Sequence, residues 1–156
     1  MDRLTIKDIL KVTDIICDDS VLFTAKDDGV TDPYQWVRCS LHNPEHIWLS
    51  PNVDTLLLFK PVNYIMFEMH IAIKAGRGRA LSRNSCIRAC GWIFDNTPCE
   101  KLISYINENN ELALSLAFEC GMEREGLLKE AMMVNGNNDN IVVIGATKQK
   151  FNKLHR

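Results

Sequence analysis

Hydrophobic positions along this chain alternate between two periods, and the switches divide it into elements. Ile6, Ile9, Leu10, Val12, Ile15 and Ile16 recur at helical spacing. They predict an amphipathic helix over residues 5–18, with Thr5 and Asp8 as a capping pair. Residues 20–26 fit a short strand or a continuation of that helix. Asp27-Asp28-Gly29 marks a turn, and Asp32-Pro33 places an N-cap residue before a proline at the first helical position, so a short helix carrying Tyr34 and Trp36 runs to about Leu41. Past Asn43-Pro44 the period falls to two. Three strand-like runs follow, at 47–49, 55–60 and 64–73, joined by short turns at Pro51-Asn52 and 61–63, an arrangement that predicts an antiparallel meander.

The third run alternates cleanly. Phe67, Met69, Ile71 and Ile73 share one face, and Glu68, His70, Ala72 and Lys74 share the other, so one face meets the core and the other is free to line a site. After Gly76-Arg77-Gly78-Arg79-Ala80 the helical period returns through Ile87, Cys90 and Phe94. A turn at 95–98 then leads into a strand at 101–106, and two strands joined through a helix imply a parallel crossover. The Asn107-Glu108-Asn109-Asn110 cluster caps a helix over about 111–120 that is apolar nearly all round and ends at Gly121, which predicts a buried element. Strands at 124–134 and 141–147 flank the turn Asn135-Gly136-Asn137-Asn138-Asp139, a hairpin signal. The tail, 148–156, carries four cations and no acid.

Composition narrows the class. With 156 residues, 46% of them apolar and 24% charged, the chain suits one compact domain, residues 1–156, and not a disordered protein. A net charge of −2 gives no overall attraction to nucleic acid or membrane, and no nucleic-acid motif stands out, although the first 32 residues hold eight acids against four bases. Six cysteines without a C-x-x-C pair read as reduced, buried hydrophobes of an intracellular protein, with no metal site expected. The start of the chain has no signal-peptide pattern and no apolar run nears ~20 residues. The expectation is a soluble, cytoplasmic protein.

The candidate chemistry sits at the glycine turn. An apolar strand that stops at two glycines and enters a helix leaves the first helical N–H groups unpaired, a ready anion site. Lys74, Arg77, Arg79, Arg83 and Arg88 lie between Met69 and Phe94 with no carboxylate among them, so a phosphate-bearing ligand fits; a turn needing glycine only for its backbone angles would look the same. Glu68 and His70 are the one acid and base pair nearby, and a solvated strand face would carry them equally well.

From about Thr55 to Thr147 this order of elements resembles the GNAT superfamily of coenzyme A-dependent N-acetyltransferases. The resemblance rests on the turn Gly76-Arg77-Gly78-Arg79-Ala80, on Asn110 opening the next helix, on Cys120-Gly121-Met122-Glu123-Arg124-Glu125-Gly126, and on the hairpin turn Asn135-Gly136 with Asp139. It implies an α+β fold: a GNAT-like single domain whose mixed, mostly antiparallel sheet is flanked by helices, with residues 1–44 as a variable helical N-terminal part and 148–156 as a basic tail. It implies acetyl-CoA or CoA as cofactor, the pantetheine arm along Ile71 and Ile73, and the pyrophosphate on the amides from Arg77 to Ala80, with Gly76, Gly78, Arg79 and Asn110 completing the site. Glu68 would be the catalytic base. The sequence departs from the pattern at Ala75, at Ala113 and at Ala117, where the family's proton-donating tyrosine would stand. Over its whole length the chain also resembles the short acetyltransferase-like proteins of temperate, short-tailed bacteriophages. That likeness implies a role in virion head assembly in the host cytoplasm, with other virion proteins as partners and acetyl transfer lost or incidental. The alternative is an active acetyl-CoA-dependent N-acetyltransferase on an amine acceptor.

Overall fold

The computed structural model describes residues 1–21, 28–76 and 78–156. The undecided segment 20–26 falls for the most part outside them, and so does Arg77. In chain order the elements are β1 (Asp2–Leu4), a 3-10 turn (Ile6–Asp8), α1 (Ile9–Ile16), α2 (Pro33–His42), β2 (Ile47–Asn52), β3 (Thr55–Pro61), β4 (Met66–Ile73), α3 (Arg79–Asn96), β5 (Lys101–Asn107), α4 (Glu111–Glu119), β6 (Glu123–Val134), β7 (Asn137–Thr147) and α5 (Lys148–His155). The capping pair forms: Thr5 N–H donates to Asp8 Oδ2 at 2.9 Å, and the reciprocal bond completes the box. Asp32 Oδ1 accepts from Gln35 N–H at 2.9 Å ahead of Pro33, which fixes the start of α2 where the sequence placed it.

The strands make one sheet in the order β1-β2-β3-β4-β5-β7-β6. All neighbours are antiparallel except β4 and β5, which run parallel on either side of the α3 crossover. This is the expected α+β single domain. The hairpin turn is tighter than the 135–139 segment suggested: β6 ends at Val134 and β7 begins at Asn137, and Asn135 and Gly136 both adopt positive φ, 52° and 76°, as a two-residue turn of that twist requires.

Helices cover both faces. Val12, Ile15 and Val37 of α1 and α2 pack on Trp48, Leu56, Leu58 and Ala72. On the other face Ala89, Ile93 and Phe94 of α3 and Phe151 of α5 pack on Leu49, Leu57, Phe59, Met69 and Leu102. The first five residues of β3, Thr55 to Phe59, are therefore buried on both sides, and each large apolar side chain so enclosed contributes about 1.5–3 kcal/mol.

Several expectations need correction. The basic tail is α5, capped by Thr147, with Phe151 buried against Phe94 at a ring separation of 5.2 Å and Arg156 paired with both carboxylate oxygens of Asp95. Helix α4 is not buried all round. Leu116 and Ala117 face inward, whereas Leu112 is 74% and Phe118 46% exposed, because the helix lies over one side of the sheet and turns its other flank to solvent. Four cysteines are buried, but Cys39 is exposed and Cys17 only half-buried. No helix among the described residues is long and apolar enough to cross a membrane.

Candidate active site

The β4–β5 ladder stops early. Met66, Phe67 and Glu68 pair with Lys101, Leu102 and Ile103. Beyond that point β4 stays with β3 as far as Ile73, and β5 stays with β7 as far as Asn107. Each half-sheet follows its own twist, so the two strands diverge into a fork whose inner edges keep backbone N–H and C=O groups without a ladder partner. A cavity of about 320 Å³ occupies the fork, a volume at the lower end of small-ligand sites.

Strand alternation sorts its lining into two compartments. Ile71, Leu102, Ser104, Leu116, Ala117 and Cys120 line it on the α3 and α4 side, while Trp36, Trp48, Leu58, His70 and Ala72 line it on the α1 and α2 side. Directly opposed residues share a face: Trp48 opposes Leu58, and Leu58 opposes His70. The cavity therefore connects the two sides of the sheet through the gap that the fork leaves.

Glu68 does not line the cavity; His70 does. Glu68 sits opposite Lys60 across the β3–β4 ladder. Its Oε1 lies 2.6 Å from His70 Nε2 and 3.0 Å from Lys60 Nζ. The His70 contact, helped by Lys60 and opposed by partial burial, holds the carboxyl down at about 2. At neutral pH it is a fixed anion and a weak proton acceptor. Nε2 is buried against that carboxylate without meeting hydrogen-bond geometry, which leaves Nδ1 as the ring nitrogen turned away from it.

At the glycine turn Gly76 takes φ +88°, which only glycine adopts without strain. Gly78 is the N-cap of α3, at φ −64° and ψ 145°, with no side-chain cap. A Cβ there would meet nothing within 4 Å, so neither backbone nor packing asks for glycine. Its bareness leaves clear space in front of the first helical amides, Arg79 and Ala80 among them.

Among the described residues of the cation cluster, Lys74, Arg79 and Arg83 are engaged within the protein, contrary to the sequence expectation. Arg79 donates from Nε and Nη2 to the two carboxylate oxygens of Glu119, at 3.0 Å each, and also to Ser115 Oγ and the Leu112 carbonyl. It ties α3 to α4 and does not face the turn. Lys74 pairs with Asp14 at 2.7 Å and lies 3.7 Å from Asp18. The acid-rich N-terminal segment folds onto the glycine turn, where Ser20 Oγ accepts the Ala75 N–H at 3.1 Å. Asp18, Asp19 and Asp54 line a separate groove with Gly76.

Of the other site residues named from sequence, Ile71 lines the cavity and Ile73 packs half-buried beside Cys86, Leu116 and Cys120. Ala80 is exposed in the first turn of α3. Asn110 lines the cavity and caps α4, its Oδ1 accepting from Ala113 N–H at 3.1 Å. Ala117 faces the cavity with no hydroxyl to give. Sequence reasoning missed Trp36, Trp48 and Tyr105 as cavity walls, because each lies on a different element. No group of three or more metal-ligating side chains occurs among the described residues.

No family model and no curated protein matches the chain. Solved structures do. Spermidine N-acetyltransferase from Vibrio cholerae in complex with CoA and spermine superposes with a TM-score of 0.77 at 19% identity, over 96% of this chain and 95% of that one. A chimera of that enzyme with hSSAT reaches 0.79 at 20% identity over 99% and 97%. The ribosomal-protein-S5-alanine acetyltransferase from Vibrio fischeri gives 0.73 at 10% identity over 96% and 93%. At these identities the likeness establishes the fold, that of GNAT acetyltransferases. It also corrects the functional reading drawn from the sequence. The architecture is shared nearly end to end with N-acetyltransferases, so the reading as a virion head-assembly protein with acetyl transfer lost gives way to its alternative.

Proposed function

We propose that this protein is an acetyl-CoA-dependent N-acetyltransferase in which donor and acceptor meet through the β4–β5 fork. The observation that carries the reading is the cavity that passes between the diverging strands, with a histidine on one side and an uncapped helix N-terminus at the end of β4. The architecture shared with acetyltransferases, one of them solved with CoA, supports it.

The residues present fit the cofactor at three points. The amides opening α3 suit a pyrophosphate, and Gly78 lets it approach. The unpaired edge of β4 around Ile71, with Asn110 across the fork, suits the amides of a pantetheine arm. The mostly apolar back compartment suits a thioester. When bound, the cofactor supplies an activated acetyl group.

The chain's own part is to bring an amine to that thioester and move a proton. His70 faces the acceptor compartment, and its Nδ1 takes the proton of the attacking amine. Glu68 is its positioning partner, its carboxylate 2.6 Å from Nε2, where its negative charge offsets the positive charge the ring gains. The base assigned from sequence thus acts one residue removed, through its neighbour. At Ala117 no side chain returns a proton to the thiolate. Because an ordinary thiol has a pKa of about 8.5, solvent can protonate it, and the chemistry forgoes only the contribution of a placed acid.

Thermal unfolding with and without CoA tests the reading. Binding to the folded state alone adds about 2.7 kcal/mol at a hundredfold excess over Kd. CoA should raise Tm in the wild type and fail to do so in Gly78→Val, whose ligand-free Tm should change little because the added Cβ meets nothing. An equal rise in both proteins would place the ligand elsewhere.

A further inference from the structure

We infer that the acceptor is a primary amine carried on an aromatic or other apolar body, and not a polyamine. This rests on the acyl-transfer reading and adds the substrate class. The acceptor side of the fork is walled by Trp36, Trp48, Pro33, Leu58 and Tyr105, with His70 at the gap. The two indoles stand edge to face, with ring centroids 6.0 Å apart. The Trp48 N–H is already given to Ser40 Oγ at 3.2 Å, so that ring presents only carbon to the cavity. Trp36, 38% exposed, has an open flank against which an apolar or aromatic body packs.

Charge decides against a polycation. Among the described residues lining the cavity no side chain is a carboxylate, and the charged or titratable bases there are Lys60 and His70. Of the acids just behind the lining, Glu68 is engaged by Lys60 and His70, and Asp139 accepts from Asn107 Nδ2 at 2.8 Å. The reacting amine gives up its charge before it attacks and needs no anion. A second ammonium on the same molecule would find no carboxylate in the described lining and would face Lys60. The acids of the groove beside Gly76 open separately, and Asp18 there lies 3.7 Å from Lys74. The described lining, apolar and without a carboxylate, suits one amine on an apolar body better than a chain of amines.

The test compares phenylethylamine with spermidine in two assays on the full-length protein. In the first, thiol release from acetyl-CoA should give phenylethylamine a kcat/KM at least about tenfold above that of spermidine. Trp36→Ala should lower it by about tenfold or more, mainly through KM, while the CoA-induced rise in Tm is kept. Equal or greater turnover of spermidine, or indifference to Trp36→Ala, overturns the inference and leaves the acyl-transfer reading standing. In the second, tryptophan fluorescence is titrated with each amine in the absence of cofactor. Saturable quenching by phenylethylamine that is lost in Trp36→Phe, with none from spermidine, supports the compartment even if CoA gives no stabilisation; the reverse order of affinities overturns it. Absence of CoA stabilisation, in contrast, counts against the acyl-transfer reading itself.

Discussion

Glu68 shows how a residue's role depends on its cross-strand neighbour. The alternation of β4 was legible in the sequence and put Glu68 and His70 on one face. Which of them reaches the cavity was not, because that depends on Lys60, which stands opposite Glu68 in a register no local pattern reports. The consequence is measurable. Folding lowers the Glu68 pKa from 4.5 to about 2, so its carboxylate stabilises the folded chain fully above 4.5, and the contribution is lost as the pH falls through about 2. Denaturant unfolding across that window should show Glu68→Gln losing less stability than the wild type. Parallel acid limbs would mean that the contact with His70 does not persist in solution. Arg79 makes the complementary point. The sequence displayed its charge beside the glycine turn, and only the fold shows that Glu119, 40 residues on, already holds it.

At the scale of the element, start and stop signals were the most readable features. The Thr5 and Asp8 box, Asp32-Pro33 and Asn135-Gly136 all act where they stand in the sequence, since capping and turn chemistry are local. Burial of α4 was not readable. A nine-residue helix that is apolar at most positions has no polar side to declare which flank faces out, and its packing is set by the fork beneath it. Leu116, buried with Cys86 and Cys120, and Leu112, largely exposed, therefore separate by position and not by residue type. Leu116→Ala should cost roughly 2–5 kcal/mol, and Leu112→Ala should stay within about 0.5 kcal/mol, both by denaturant unfolding. Similar losses at the two sites would mean that α4 is enclosed after all. The tail's four cations dominate its composition and say nothing of its structure. One aromatic residue, Phe151, and the pairing of Arg156 with Asp95 are enough to dock it as a helix on α3.

For the whole molecule, the meander, the parallel crossover and the final hairpin could be assembled from strand periods and connection lengths. The fork could not. Where a parallel ladder ends depends on the competing twists of two half-sheets, each held by its outer strands, and no stretch of sequence records that. Yet the fork makes the cavity, and the proposed acyl transfer rests on it: the α3 and α4 side would take the donor, the α1 and α2 side the acceptor, with His70 at the gap between them. The most direct test of this arrangement is amine-dependent release of free thiol from acetyl-CoA by wild-type protein and by His70→Gln, with the CoA-induced rise in Tm measured on both. Acyl transfer through the fork requires turnover by the wild type and a fall in kcat of about 10²–10⁴-fold on removal of the base, with the rise in Tm retained. Thiol release that does not depend on an amine, or a kcat unchanged in His70→Gln, would contradict it.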